Sequence, residues 1–157
     1  MNALINLFKS FAFALCGIWH CIKTCRNFRI HTVAAVFVLY LSSFYDFSSE
    51  KYVLLFITIG LVLSLECINT SLENICDAVT REYSVHIKRA KDTAAGAVLC
   101  SAVVSVAVAV ALFWNKSVFK EIYIHFCSLS NVLILIALMI FACIYIFYED
   151  IFKNGKK

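Results

Sequence analysis

"YVLLFITIGLVLSLECINTSLENICD", residues 52–77, is the stretch on which the fold turns. Its first half is a run of Tyr, Val, Leu, Phe and Ile that belongs in lipid. Its second half introduces Glu66, Asn69, Glu73 and Asp77. No proline and only one glycine, Gly60, interrupts the run from Tyr52 to about Tyr83, so a single long helix is expected there. The apolar half, about 51–68, would cross a bilayer, and the polar half, extending to 83, would project into water. A carboxylate at that boundary is expensive unless it is paired or put to use.

The rest of the chain agrees with a lipid solvent. Of 157 residues, 62% are hydrophobic, 15% are charged and none is proline, more apolar surface than a small soluble domain can hide. Segments at about 30–47, 51–68, 94–114 and 129–148 each approach the roughly 20 residues a helix needs to span the hydrocarbon core. Lipid offers backbone groups no partner outside a helix or a closed barrel, and the period-2 alternation of a barrel is missing. The expected class is an all-α integral membrane protein. No short apolar core followed by a small-residue cleavage site opens the chain, so no cleaved leader is expected.

Basic residues orient it. With the N-terminus in the cytoplasm, eleven of the 14 Lys and Arg fall inside, leaving only Lys51, Lys116 and Lys120 outside. That satisfies the positive-inside rule and predicts a multi-pass protein of the cell membrane. A net charge of +4 suits anionic head groups and calls for no nucleic acid. Residues 2–24 carry Leu4, Leu7, Phe8, Phe11, Leu15, Ile18, Trp19 and Ile22 at helical spacing, with Lys9 and Lys23 as the only charges, which fits a helix lying in the head-group plane. Arg29, His31 and Tyr45 read as interfacial anchors of the first span. "SVHIKRAKD" (84–92) reads as an inner connection, and the small residues 93–97 that open the third span would let another backbone approach. Segment 116–128 reads as polar and outside. The eight cysteines form no CxxC and read as small apolar fillers, Cys25 apart.

Glu66, Asn69, Glu73 and Asp77 stand at offsets 0, 3, 7 and 11, within roughly an 80° arc of one helix face. A solvated face would account for Asp77 alone but not for Glu66, which follows "LVLSL". Lys91 and Asp92, at the mouth of the third span, lie at the same depth. Oxygen ligands for Mg²⁺ beside a Lys for phosphate charge are what polyphosphate binding requires. No GxxxxGK[ST] or kinase glycine loop is present, so any nucleotide site lies outside those architectures. A different class, a small ion or proton transporter using Glu66, Glu73 and Asp77 as a relay, predicts acids at mid-bilayer spread over several helices.

"ECINTSLENICD" (66–77), followed by "EY" (82–83) and "RAKDTAAGAV" (89–98), resembles the prokaryotic diacylglycerol kinase and undecaprenol kinase family over about residues 6–115. "RNFRIH" (26–31) looks more like the undecaprenol kinases of Gram-positive bacteria. The resemblance implies a homotrimer of three-span subunits with a surface helix. It also implies active sites shared between subunits at the cytoplasmic face, and transfer of the γ-phosphate of ATP, with Mg²⁺, to a lipid hydroxyl. Carried over, Glu66 would be the general base with Asn69 beside it, and Glu73 a metal and ATP ligand. Asp77, Glu82, Lys91 and Asp92 would hold the nucleotide. The kinase domain would occupy 1–117.

Two departures stand out. Cys25 occupies the place of a metal-binding Glu, and a thiol is a poor ligand for hard Mg²⁺. That substitution raises the alternative of a weak or non-enzymatic descendant. Residues 118–157 add a fourth span at 129–148 where family members end.

Overall fold

The computed structural model of the protein describes residues 2–79, 82 and 84–148. Among these, helices α1 (Asn2–Thr24), α2 (Arg26–Ser42), α3 (Ser49–Val79), α4 (Val85–Phe113), α5 (Lys116–Phe126) and α6 (Leu129–Ile146) follow one another with no strand. The all-α membrane class holds. Helices α1, α3, α4 and α6 are long and apolar enough to cross a membrane. Helix α2, with 17 residues, is the shortest of the segments read as spans.

Helix α3 is the axis of the fold. Its 31 residues extend about 46 Å at 1.5 Å per residue, well beyond a hydrocarbon core of roughly 30 Å. Its buried residues Leu55, Thr58, Val62, Glu66 and Asn69 recur at steps of three and four and form one packing stripe against α2 and α4. The helix is described as far as Val79, and Glu82 sits in a bend, so the helix does not run unbroken to Tyr83. Helix α4 then begins at Val85, so most of the expected connection "SVHIKRAKD" is helical. With the turn this short, α4 returns antiparallel along α3 and makes the most extensive pairing in the chain. Lys91 Nζ donates to Asp77 Oδ1 across the mouth of this hairpin. Arg81, Tyr83 and the basic C-terminal segment lie outside the described residues.

The small residues at the start of α4 play a different part from the one expected. A methyl group added at Gly96 would meet nothing within 4 Å, so among the described residues no other backbone approaches there. The segment 116–128 is also more than a polar loop. Asn115 caps α5, its side chain accepting from the Ser117 N–H at 3.0 Å, and α5 is an exposed amphipathic helix.

The two ends of the bundle are tied differently. At one end Tyr45 donates to the Phe113 carbonyl at 2.7 Å, capping α4, and its ring packs edge-on to Phe113. Phe44 meets His125 and Phe126 there, the aromatic girdle expected at a membrane interface. At the other end Arg29, only 3% exposed, binds the last carbonyls of two helices. Nη1 donates to Ile22 at 3.2 Å and Lys23 at 2.8 Å on α1, and Nε to Ile146 at 3.0 Å on α6. A cation at helix C-termini meets the negative pole of each dipole. Arg29 is therefore an internal clamp and not an exposed anchor. It brings the end of α6 back to the end where α2 begins.

Helix α1 joins the bundle only through its last turns. Cys21 is buried, while Leu4–His20 stay exposed. Replacing Arg29 with Leu strands three carbonyls. The expected loss is about 3 kcal/mol, read as a lower Tm in detergent, against about 1 kcal/mol for Tyr45→Phe. Equal Tm values for Arg29→Leu and the wild type would show the clamp to be incidental.

Candidate active site

Along the face of α3 the expected residues come together as successive pairs. Lowest is Glu66, which is 1% exposed because it occupies a position of the packing stripe where a core side chain would otherwise sit. The Cys25 thiol donates to Glu66 Oε1 at 3.1 Å. One turn higher, Asn69 Nδ2 donates to Glu73 Oε1 at 3.0 Å. Highest is the Asp77–Lys91 ion pair at the exposed mouth of the hairpin. Burial falls along the series from Glu66 through half-buried Glu73 to exposed Asp77. Glu82 and Asp92 are exposed nearby, the first in its bend and the second beside Lys91.

Two acceptor oxygens in this ladder lack partners. Glu66 Oε2 and Asn69 Oδ1 are buried and accept no hydrogen bond from the protein. Buried polar atoms are almost always satisfied, and an ionised carboxylate more so than most. Both orphans lie on one face a turn apart, so a ligand that donates hydrogen bonds or positive charge fits between α2 and α3 at this level. Immediately below, an apolar crevice of about 160 Å³ runs down α3, lined by His31, Ala35, Val38, Thr58, Val62 and Ala109. Val62 lies one turn from Glu66, so polar ladder and apolar crevice are continuous.

Thr70 and Arg29 are site residues that spacing did not single out. The Thr70 hydroxyl donates to the Glu66 carbonyl at 2.9 Å and lies beside Cys25. Arg29 stands one turn from Cys25 on α2 and fixes the elbow that carries the thiol, its N–H donating to the Cys25 carbonyl at 3.3 Å. A backbone-directed Thr and a clamp between distant helices leave no periodic signature. Burial pushes the Cys25 thiol above its ordinary range, against an opposing pull from the Thr70 hydroxyl.

The donor set bears on metal binding. Among the described residues no three His, Cys, Asp or Glu converge as a metal cage. The second oxygen of Glu73 with Asn69 Oδ1 offers hard donors of the kind Mg²⁺ accepts when phosphates and water complete its shell. Cys25 does not fit that set, because its thiol proton is directed at Glu66.

The sequence profile of prokaryotic diacylglycerol kinase matches residues 12–113, from the middle of α1 to the end of α4. The chain belongs to the prokaryotic diacylglycerol kinase family. Its relatives are lipid kinases by name. It is 39% identical over 115 residues to the undecaprenol kinase of Bacillus subtilis, covering 73% of this chain and 94% of that protein. To the diacylglycerol kinase of Synechocystis it is 41% identical over 104 residues, 66% of this chain and 59% of that one. The Escherichia coli diacylglycerol kinase is 31% identical over 88 residues, 56% of this chain and 72% of that protein. The family region thus contains the whole ladder, while α5 and α6 fall outside it.

A carboxylate buried with one weak donor lowers stability. Glu66→Gln is therefore expected to raise stability in detergent by about 1–3 kcal/mol, seen as a higher Tm. A lower Tm for that variant would show that Glu66 is held for structure.

Proposed function

We propose that this chain transfers the γ-phosphate of ATP, in the presence of Mg²⁺, to the hydroxyl of a membrane lipid, with Glu66 as general base. The observation that carries this reading is the unpartnered Glu66 Oε2, buried where an apolar crevice meets a ladder of polar groups. A lipid whose chain lies along α3 would present its hydroxyl there, and the hydroxyl proton would satisfy Oε2. As the lipid oxygen bonds to the γ-phosphorus and the bond to ADP breaks, Glu66 takes that proton. Asn69 holds Glu73 in place and offers Oδ1 to the same space. Bound Mg²⁺, held by Glu73 and the phosphates, would neutralise charge on the transferring group. Lys91 has Asp77 as its partner in the free protein. Exposed ion pairs of this kind are worth little, so exchanging Asp77 for a polyphosphate costs little. Asp77, Glu82 and Asp92 then frame the nucleotide.

Undecaprenol is the favoured lipid. The "RNFRIH" opening of α2 resembles that of undecaprenol kinases, and the Bacillus undecaprenol kinase is matched over nearly its whole length. Diacylglycerol is the second candidate. The site would face the cytoplasm, with α1 in the head-group plane. A homotrimer is supported by the apolar residues that α1, α3 and α4 leave exposed and by the open space at Gly96 among the described residues. Helix α6 would be a fourth span added to the catalytic unit. Glu66, Glu73 and Asp77 all lie in the second half of α3, which disfavours a transport relay across the bilayer.

The test is purified protein in mixed micelles with Mg²⁺, labelled ATP, and undecaprenol or diacylglycerol in parallel. Phosphate should appear on undecaprenol first, and Glu66→Gln should lower kcat at least about a thousandfold, a loss expected when a positioned base is removed together with its charge. Transfer to neither lipid would sink the kinase reading, and an active Glu66→Gln would remove Glu66 from the base role. Cys25→Glu, which adds an oxygen ligand, is expected to lower the Mg²⁺ concentration needed for half-maximal rate.

A further inference from the structure

The family position that should hold a metal ligand holds Cys25, and the structure gives that thiol a different partner. Cys25 stands alone between α1, which ends at Thr24, and α2, which begins at Arg26. It is extended, with φ −101° and ψ 110°, and serves as the N-cap of α2. N-cap side chains normally turn back to bond their own helix. This one makes no cap bond and crosses to α3, where Sγ lies 3.1 Å from Glu66 Oε1. The elbow is fixed from both sides. The Cys25 N–H donates to the Cys21 carbonyl at 2.9 Å, and Phe28 and Arg29 are buried directly after it.

We propose that Cys25 is a positioning residue: its thiol proton holds Glu66 Oε1 and so leaves Oε2 as the atom that meets the lipid hydroxyl. The two oxygens of a carboxylate are chemically equivalent, and a side chain free to rotate about its last torsion would present either one. A donor on one oxygen removes that choice. The protein supplies Glu66 Oε1 with this donor and leaves Oε2 buried and bare. A thiol suits the task because it is a weak donor. It orients the carboxylate while withdrawing less basicity than a hydroxyl or ammonium would. A metal ligand at this position would have to be a thiolate, which has no proton to give. The two roles exclude one another.

This inference rests on Glu66 as the base, so one arm of its test is independent of turnover. The S–H stretching band of Cys25 can be isolated by infrared difference between the wild type and Cys25→Ser. It should lie at the low frequency of a thiol bonded to an anion and shift upward in Glu66→Met. A band that does not move overturns the contact, even in protein that phosphorylates no lipid. The second arm is kinetic. Cys25→Ala should lower kcat about tenfold, the size expected for loss of one modest hydrogen bond to a charged group. Cys25→Ser, which keeps a donor, should recover most of that loss, while KM for MgATP and the Mg²⁺ requirement stay within about twofold in both. Equal kcat in the Ala and Ser variants, or a raised Mg²⁺ requirement in both, would overturn the positioning role.

Discussion

Everything near the active site follows from the placement of one carboxylate in the packing register of a helix. Leu55, Thr58, Val62, Glu66 and Asn69 share the face by which α3 packs on its neighbours, so Glu66 is buried by helical geometry. An apolar residue there would pack without penalty. A carboxylate with one thiol donor and one bare oxygen does not, and the fold holds it only because α2 and α4 are fixed by other contacts. The Tyr45 bond to Phe113, the aromatic girdle and the Arg29 clamp supply those contacts at the two ends of the bundle. Stability at the ends thus sustains a destabilising group between them, the usual exchange of stability for chemistry.

The gradient along α3 has a chemical rationale. Phosphoryl transfer from a soluble donor to a lipid alcohol must bring together two reactants that favour different solvents. A helix longer than the bilayer is thick does this with one element. Its apolar turns line a crevice, Glu66 lies one turn above Val62 in its lining, and buried Asn69 with half-buried Glu73 and the exposed Asp77–Lys91 pair continue outward. The proposed base, metal ligand and nucleotide-binding residues keep their spacing because all but Lys91 and Asp92 project from, or follow directly on, a single helix. The antiparallel return of α4 brings those two residues to the same level.

How legible this was depended on whether a feature is periodic. The long helix, the apolar helical stretches at 51–68 and 94–114 and the single face of Glu66, Asn69, Glu73 and Asp77 follow from 3.6-residue periodicity and the absence of proline, and the structure has helices α3 and α4 there. Element ends were less readable. A bend at Glu82 interrupts the chain although nothing before Tyr83 forbids a helix, and α4 starts within a stretch whose charges suggested a loop. Long-range contacts were not legible at all. Arg29 at the edge of a span resembles any snorkelling anchor until its partners on α1 and α6 are known, and only the fold shows that the cysteine at the elbow lies against Glu66.

The Arg29 clamp also changes how the C-terminal extension should be viewed. The family match ends at residue 113, so α6 lies beyond the region this chain shares with the family. Here the last carbonyl of α6 accepts from the same guanidinium that holds the end of α1, and Phe147 lies against Arg26. Both arginines flank the elbow that carries Cys25. A guanidinium has five N–H donors in a fixed plane, so it can serve two helix termini at once and transmit a displacement of either to the other. The added helix is therefore joined to the fold beside the elbow between α1 and α2, through a guanidinium that also holds the end of α1.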